Sequence, residues 1–142
     1  MKDYILITDG AYSPKRDLGG FAFIFVKDDK VILEYSKQIK HTTNNAMEML
    51  AIIMGMKCVK KPIDSLLIIT DSQYCIGCAI KGWKRNKNIE LWDLFDVEYN
   101  RICSLCPDVQ FIHTRGHQSD ESNITKWNNR CDELAVQASQ RI

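Results

Sequence analysis

Runs of consecutive apolar residues place the strands of this chain. Residues 4–8 are almost continuously apolar, which predicts a central strand covered on both faces. FAFIFV at 21–26 and VILEYS at 31–36 flank the polar turn KDDK, a pattern typical of a β-hairpin. LLIIT at 66–70 and VQFIHT at 109–114 predict two more strands, which makes five in all.

Four segments between or after these strands have the spacing of amphipathic helices. In the first, Met47, Leu50 and Met54 fall on one face, as expected for a helix that packs on a sheet. The helices are predicted from Asn45 to before Pro62, from near Ser72 to Gly82, from about Ile89 to Cys106, and over residues 127–140. This alternation, without a linker or low-complexity tract, indicates one α/β domain that spans residues 1–142.

Two of the predicted strands lead directly into a carboxylate. ILITDG delivers Asp9, and LLIITDS delivers Asp71 in the same way. Strands joined through a helix tend to lie parallel, so these two can be neighbours whose carboxyl ends lie about 4.8 Å apart. Open α/β sheets bind ligands outside this edge. We therefore expect both acids to face one site.

Two more acids lie on helices that are predicted to pack against the sheet. Glu48 is flanked by methionines, and it is the only Asp, Glu, Lys or Arg between His41 and Met56. Asp132 follows the inward-facing Cys131 on the last helix. Carboxylates on core-facing helix positions are uncommon, and they often belong to functional sites.

Each acid also has an ordinary structural explanation. Asp71 could cap the helix that follows it, and Asp9 could form a turn with the next glycine. Glu48 could complete a capping box with Asn45. As a group, however, four carboxylates at one edge would repel each other unless a cation lay among them. Two magnesium ions bound together with a phosphodiester would suit such a group.

The charge distribution adds one local hint. The formal net charge is +1, so the overall charge does not indicate nucleic-acid binding. In KGWKRNKN, however, Trp83 lies among four basic residues, namely Lys81, Lys84, Arg85 and Lys87. Such a run fits a surface that follows a nucleic-acid backbone, and it fits a solvated loop equally well.

The six cysteines and the N-terminal segment bear on the compartment. The apolar stretch near the N-terminus is too short for a signal peptide or a membrane span, so we expect a cytoplasmic protein with reduced thiols and no membrane partner. Cys75-x-x-Cys78 and Cys103-x-x-Cys106 could together bind zinc. Both pairs fall on predicted helices, where cysteine packs as a small hydrophobic residue, and we favour that interpretation.

Five motifs in fixed order give the chain a resemblance to type 1 ribonuclease H. They are TDGA at 8–11, TTNNAMEMLA at 42–51, ITDSQY at 69–74, RGH at 115–117 and NNRCDELA at 128–135. The resemblance implies the family's fold, a five-stranded mixed sheet of strand order 3-2-1-4-5 flanked by helices. It also implies an endonuclease that hydrolyses the RNA strand of RNA/DNA hybrids and leaves 5′-phosphate and 3′-hydroxyl ends. The implied cofactor is a pair of Mg²⁺ ions, for which Mn²⁺ can substitute.

The same resemblance assigns catalytic roles to particular residues. The implied metal-binding and catalytic acids are Asp9, Glu48, Asp71 and Asp132. His117, on the loop before the last helix, is implied to be a mobile general acid/base or product-release residue. One ion would activate the attacking water, and the other would stabilise the departing 3′ oxygen.

Substrate contacts are implied as well. Gly10 lies beside the first acid, Thr43 matches a residue that holds a phosphate of the DNA strand, and Asn44 and Asn45 are placed to sense the RNA 2′-hydroxyl. The basic run resembles the remnant of a shortened substrate handle, with contacts at Trp83, Lys84, Arg85 and Lys87. We therefore expect weaker and more salt-sensitive hybrid binding than in relatives with a complete handle.

Two other functions remain as alternatives. A nuclease or junction resolvase that cuts DNA would use the same acids, although Asn44 and Asn45 argue against it. A non-catalytic nucleic-acid-binding module would gain nothing from four carboxylates that repel phosphate. The expected partner is an RNA/DNA hybrid, and we expect the protein to be a monomer.

Overall fold

The computed structural model of the protein describes residues 3–114 and 122–141. Within these residues the chain forms five strands and four helices in the predicted order. The strands are β1 (Asp3–Ser13), β2 (Leu18–Lys27), β3 (Lys30–Lys40), β4 (Ser65–Thr70) and β5 (Asp108–His113). The helices are α1 (Asn44–Lys57), α2 (Gln73–Ile80), α3 (Ile89–Leu105) and α4 (Asn123–Gln140).

The strands form one mixed sheet in the order β3-β2-β1-β4-β5. β2 runs antiparallel to both β1 and β3, whereas β1, β4 and β5 run parallel to one another. The predicted fold class and strand order are confirmed. β1 lies at the centre, and Leu6 and Ile7 in it are completely buried.

Helices cover both faces of the sheet, and β2 shows this division most clearly. Its phenylalanines, Phe21, Phe23 and Phe25, pack in the core beneath α1, α2 and α3. The residues between them, Ala22 and Ile24, pack on the other face against α4. Successive residues of β2 point to opposite faces, and helices cover both faces. FAFIFV is therefore apolar without interruption.

Several elements are longer than their apolar runs predict. β1 continues beyond Asp9 because residues 10–13 keep pairing with β2, out to Ser13 opposite Leu18. Asp9 is therefore inside a long strand and not at its end. α4 begins at Asn123, upstream of the predicted residue 127, because the Ser122 hydroxyl caps it by accepting a hydrogen bond from the backbone N–H of Thr125.

All six cysteines are free thiols. Cys75, Cys78 and Cys106 are buried as predicted, but Cys103 is exposed, so the prediction that it packs as a small hydrophobic residue is wrong. Cys103 lies on the solvent side because Ile102, its neighbour in α3, takes the buried position. Among the described residues, no helix is both long enough and apolar enough to cross a lipid bilayer.

Candidate active site

Two neighbouring parallel strands place Asp9 and Asp71 at one edge of the sheet. Asp71 follows Thr70, the last residue of β4, and the pairing of β4 with β1 reaches Ile69. The Thr8 hydroxyl donates a hydrogen bond to the Ile69 carbonyl at 2.9 Å. Because this bond ties the two strands together just before the acids, it holds Asp9 and Asp71 side by side, just beyond the paired segment of β1 and β4.

α1 brings Glu48 to the same edge, and Gly10 allows the helix to come close. A Cβ atom at Gly10 would lie 2.5 Å from the backbone nitrogen of Glu48 and 2.6 Å from the carbonyl carbon of Met47. Side chains do not tolerate such distances, so only glycine permits this approach of β1 and α1. Since Gly10 follows Asp9 directly, the approach sets Glu48 beside Asp9.

Three of the four predicted acids converge. Asp9, Glu48 and Asp71 each offer a carboxylate oxygen within 4.8 Å of the others. Asp9 is 3% exposed and Glu48 is 5% exposed. Asp132, half-buried on α4, lies close enough to Asp9 to hydrogen-bond with it, but it is outside the group defined by this distance.

Burial and mutual repulsion oppose ionisation of this cluster. Burial, followed by the charge of Asp71 and the hydrogen bond with Asp132, raises the pKa of Asp9 from 3.8 to about 8. Burial, followed by the hydrogen bond with Asp71, raises the pKa of Glu48 well above its usual value. Without a positive charge nearby, some of these carboxyl groups therefore retain protons at neutral pH.

The cluster has the properties of a site for a hard divalent cation. Glu48 Oε1 and Asp71 Oδ1 are buried, and neither has a hydrogen-bond partner. Among the described residues, no lysine or arginine forms an ion pair with Asp9, Glu48 or Asp71. All donors are carboxylate oxygens, which Mg²⁺ and Mn²⁺ prefer. The residues therefore fit the predicted metal.

The structural alternatives for Asp71 and Glu48 do not apply. α2 is capped by Ser72, whose hydroxyl accepts a hydrogen bond from the backbone N–H of Cys75 at 3.1 Å. α1 is capped by Thr43 and not by Asn45, so the capping box considered for Glu48 is absent. Neither acid is needed to begin a helix.

The zinc alternative receives no support from the geometry. In residues 3–114 and 122–141, Asp9, Glu48 and Asp71 form the only group of three or more histidine, cysteine or acidic side chains spaced to hold an ion. The Cys-x-x-Cys pairs do not form such a group. Burial raises the pKa of Cys75 to about 12, as expected for a cysteine that packs as a small hydrophobic residue.

Comparisons with known proteins show the family of this chain. The family model described as RNase H matches residues 1–140. The chain belongs to the RNase H family. It is 35% identical to ribonuclease H of Trichodesmium erythraeum, an alignment that covers 96% of this chain and 88% of the relative. It is 33% identical to ribonuclease H of Caldicellulosiruptor saccharolyticus, with 95% and 94% covered.

Solved structures of the RNase H family share the fold. The N-terminal RNase H domain of a Mycobacterium tuberculosis protein, solved as a fusion with maltose-binding protein, superposes with a TM-score of 0.78 at 20% identity, covering 98% of this chain and 94% of that chain. LC11-RNase H1, solved in complex with an RNA/DNA hybrid, superposes with a TM-score of 0.76 at 20% identity, covering 96% of each chain. Family membership makes the protein a nuclease.

The predicted substrate residues before Glu48 lie at the start of α1. Thr43, Asn44 and Asn45 are all exposed. The Thr43 hydroxyl already accepts a hydrogen bond from the backbone N–H of Ala46 at 3.1 Å, so the cap does not require the side chain of either asparagine. All three residues stand within about one and a half helical turns of Glu48 and are open to a ligand.

The basic run forms the loop between α2 and α3. Trp83 is half-exposed, and its ring lies so close against Gly77 that a Cβ atom there would overlap the ring carbons. The Trp83 backbone N–H donates to the Gly77 carbonyl at 3.1 Å. Lys84 and Lys87 are exposed. Lys81 is exposed as well, so the loop presents one aromatic ring and three amino groups to solvent.

Arg85 differs from its basic neighbours because its guanidinium is engaged inside the protein. Nη1 donates to the carboxylate of Asp96 at 2.8 Å, and Nε donates to the Cys78 carbonyl at 3.1 Å. The guanidinium carbon lies 4.5 Å from the centre of the Trp92 ring. These contacts attach the loop to α2 and α3.

Of the two histidines after residue 112, the structure describes His113. His117, the predicted acid/base, lies outside the described residues. His113, which none of the sequence motifs assigns to the site, ends β5 with its Nε2 atom 3.1 Å from the Asp71 carbonyl oxygen. The strand order is the signal that could have found it, since β5 neighbours β4 and the two strands end together at the acids.

Replacement of Gly10 by alanine should disturb the acid cluster. The new Cβ would force α1 away from β1 and separate Glu48 from Asp9, so we expect cleavage to fall about a hundredfold. The measurement is the hybrid cleavage rate alongside the melting temperature. Gly55→Ala is the control, because its Cβ would meet the Leu6 side chain and not the backbone of Met47 or Glu48. Equal activity losses in the two variants would contradict this role of Gly10.

Replacement of Asp9 by asparagine should change how stability depends on pH in metal-free buffer. The folded protein holds the Asp9 proton up to a pKa of about 8, whereas the unfolded chain releases it near 3.8. The stability that this proton contributes is complete at low pH and is lost as pH rises from about 4 to about 8. Asp9→Asn should therefore show a shallower fall of melting temperature over this range.

Melting curves of both proteins across pH, with chelator, provide this measurement. Added Mg²⁺ should make the pH dependence of melting temperature more similar in the two proteins, since the cation offsets the repulsion among the carboxylates. Parallel pH profiles for the two proteins would contradict the raised pKa of Asp9.

Proposed function

We propose that this protein is a metal-dependent endoribonuclease that hydrolyses the RNA strand of RNA/DNA hybrids and leaves 5′-phosphate and 3′-hydroxyl ends. The convergence of Asp9, Glu48 and Asp71, with buried unpartnered oxygens, carries the proposal. Membership of the RNase H family supports it. So does the likeness to LC11-RNase H1, whose structure contains an RNA/DNA hybrid.

Asp9, Glu48, Asp71 and Asp132 would hold two Mg²⁺ ions, or Mn²⁺ in their place. Bound cations of this kind activate a water for attack and stabilise the departing oxygen of a phosphodiester. The chain's own contribution is to hold the four carboxylates in place. Asp9 is central, since its Oδ1 atom accepts a hydrogen bond from the Gly10 backbone N–H at 2.8 Å and its neighbours are the other three acids. His117 is proposed as the mobile acid/base or product-release residue.

Selection of RNA over DNA is proposed to come from the start of α1. Asn44 and Asn45 would contact the 2′-hydroxyl in the minor groove, through amide or backbone groups. Thr43 would hold a phosphate of the DNA strand, and Gly10, next to Asp9, would be a further substrate contact. The exposure of Thr43, Asn44 and Asn45 supports their proposed roles.

The loop between α2 and α3 is proposed as the remaining substrate handle. Lys84 and Lys87 would contact phosphates, and Trp83 would pack against the sugar-phosphate backbone. The basic run predicts Arg85 as a further contact; because Arg85 is engaged with Asp96, we propose that it acts mainly by holding the loop.

The domain organisation, oligomeric state and compartment of the protein are also proposals. We infer one RNase H domain over residues 1–142, acting as a monomer in the cytoplasm. Six free thiols are consistent with a reducing compartment of that kind. A DNA-cutting enzyme and a non-catalytic binding module remain the competing functions, and the next experiment distinguishes them.

Cleavage of end-labelled RNA/DNA hybrid should be specific and metal-dependent. We expect cutting of the RNA strand with Mg²⁺ or Mn²⁺, none with chelator, and none of double-stranded DNA, double-stranded RNA or single-stranded RNA. Asp9→Asn and Glu48→Gln should each lower the rate more than about a hundredfold. Each removes a metal-binding carboxylate itself and not merely a residue that orients one. Asp93→Asn, an exposed acid on α3, is the matched control. Cutting of all-DNA substrate would favour the resolvase, and binding without cutting would favour the binding module.

Removal of Lys84 and Lys87 from the handle should weaken hybrid binding in a salt-dependent way. For Lys84→Ala combined with Lys87→Ala, we expect a higher KM and a slope of log KM against log salt that is smaller by roughly one for each phosphate that is no longer neutralised. Lys30→Ala with Lys37→Ala, on the exposed strand β3, is the control pair. An unchanged slope in the handle variant would contradict this role of the loop.

A further inference from the structure

We propose that His113 is a positioning residue for the acid cluster, and that it holds the backbone of Asp71 so that the Asp71 carboxylate faces Asp9 and Glu48. This role rests on the proposed function, since it concerns an acid that would hold a cation. Its physical basis is the path of the chain between β4 and α2.

Asp71 lies where the chain leaves the sheet and has not yet begun a helix. β4 ends at Thr70, and α2 starts at Gln73. The Thr70 carbonyl accepts a backbone hydrogen bond from the N–H of Thr114 at 2.9 Å. The next carbonyl, that of Asp71, forms its hydrogen bond with a side chain, since His113 Nε2 lies 3.1 Å from the carbonyl oxygen. His113 is opposite Thr70 in the parallel register, which places it for this contact.

The direction of the Asp71 carboxylate depends on its backbone as well as on its hydrogen bond with Glu48. Asp71 Oδ1 is buried without a hydrogen-bond partner, so contacts at that oxygen do not orient the group. Carboxylate oxygens of Asp71 and Asp9 lie within 4.8 Å of each other, so the two groups repel each other when both are ionised. A restraint on the Asp71 backbone opposes this repulsion and keeps the carboxylate in the cluster.

Residues next to Asp71 are fixed by other bonds. The Ser72 backbone N–H donates to the Thr70 hydroxyl at 3.1 Å, and the Ser72 hydroxyl caps α2. These bonds hold the chain after Asp71, whereas His113 holds the Asp71 carbonyl itself.

The chemistry of the contact defines what a substitute must provide. A carbonyl oxygen only accepts, so Nε2 carries the hydrogen, and it does so in both the neutral and the protonated ring. His113→Gln keeps a side-chain N–H donor at a similar distance from the backbone, and His113→Ala removes it. Ile112→Ala is the control, because it shortens an exposed residue of the same strand.

The test is titration of each protein with Mn²⁺ in a calorimeter, without nucleic acid, together with the rate of hybrid cleavage against Mg²⁺ concentration. Loss of a group that orients a metal ligand typically weakens binding by about 10-fold or more, so His113→Ala should bind Mn²⁺ about tenfold more weakly. His113→Gln should restore most of the affinity, and Ile112→Ala should leave it unchanged. The Mg²⁺ concentration for half-maximal rate should rise in parallel.

Three results would overturn this role in different ways. Equal Mn²⁺ affinity in the wild type and His113→Ala would refute it while leaving the proposed function intact. Equal losses in His113→Ala and His113→Gln would show that the imidazole acts by something other than N–H donation. A wild-type protein that does not bind Mn²⁺ would contradict the proposed metal site and, with it, the positioning role of His113.

Discussion

Repulsion among buried carboxylates is the constraint around which this end of the fold is organised. Asp9 and Glu48 are almost completely removed from water, and Asp71 lies within 4.8 Å of both. Burial and like charge both favour the protonated forms, which is why the pKa of Asp9 rises to about 8. A divalent cation reverses that preference, so the cluster lowers stability when no positive charge is near and becomes favourable when it binds a cation.

The protein holds the acids together through contacts made by their neighbours. Gly10 admits α1 against β1, and the Thr8 hydroxyl ties β1 to β4. The loop after β4 is held at Thr70 and Ser72. None of these bonds uses the carboxylate oxygens of Glu48 or Asp71 that remain unpartnered. The fold thus directs its hydrogen bonds to the backbone and leaves the acids available as ligands.

The sequence predicts the sheet well because burial on both faces leaves uninterrupted apolar runs, as in residues 4–8 and 21–26. It predicts less where a polar contact decides the outcome. Thr43, and not Asn45, caps α1, since either residue type suits a cap and only the backbone geometry selects one. Arg85 could not be told from Lys84 by composition, because its partner Asp96 lies 11 residues away on α3 and is adjacent only after folding. His113 was missed because it belongs to none of the motifs, although the strand order places it opposite the end of β4.

The location of a bound cation tests the central claim most directly. An anomalous difference map from crystals of the protein soaked in Mn²⁺ would show it. We predict a peak in contact with the carboxylates of Asp9, Glu48 and Asp71, and loss of that peak in Asp9→Asn. A peak elsewhere, or none at these acids despite saturating Mn²⁺, would contradict the conclusion that their repulsion serves metal binding.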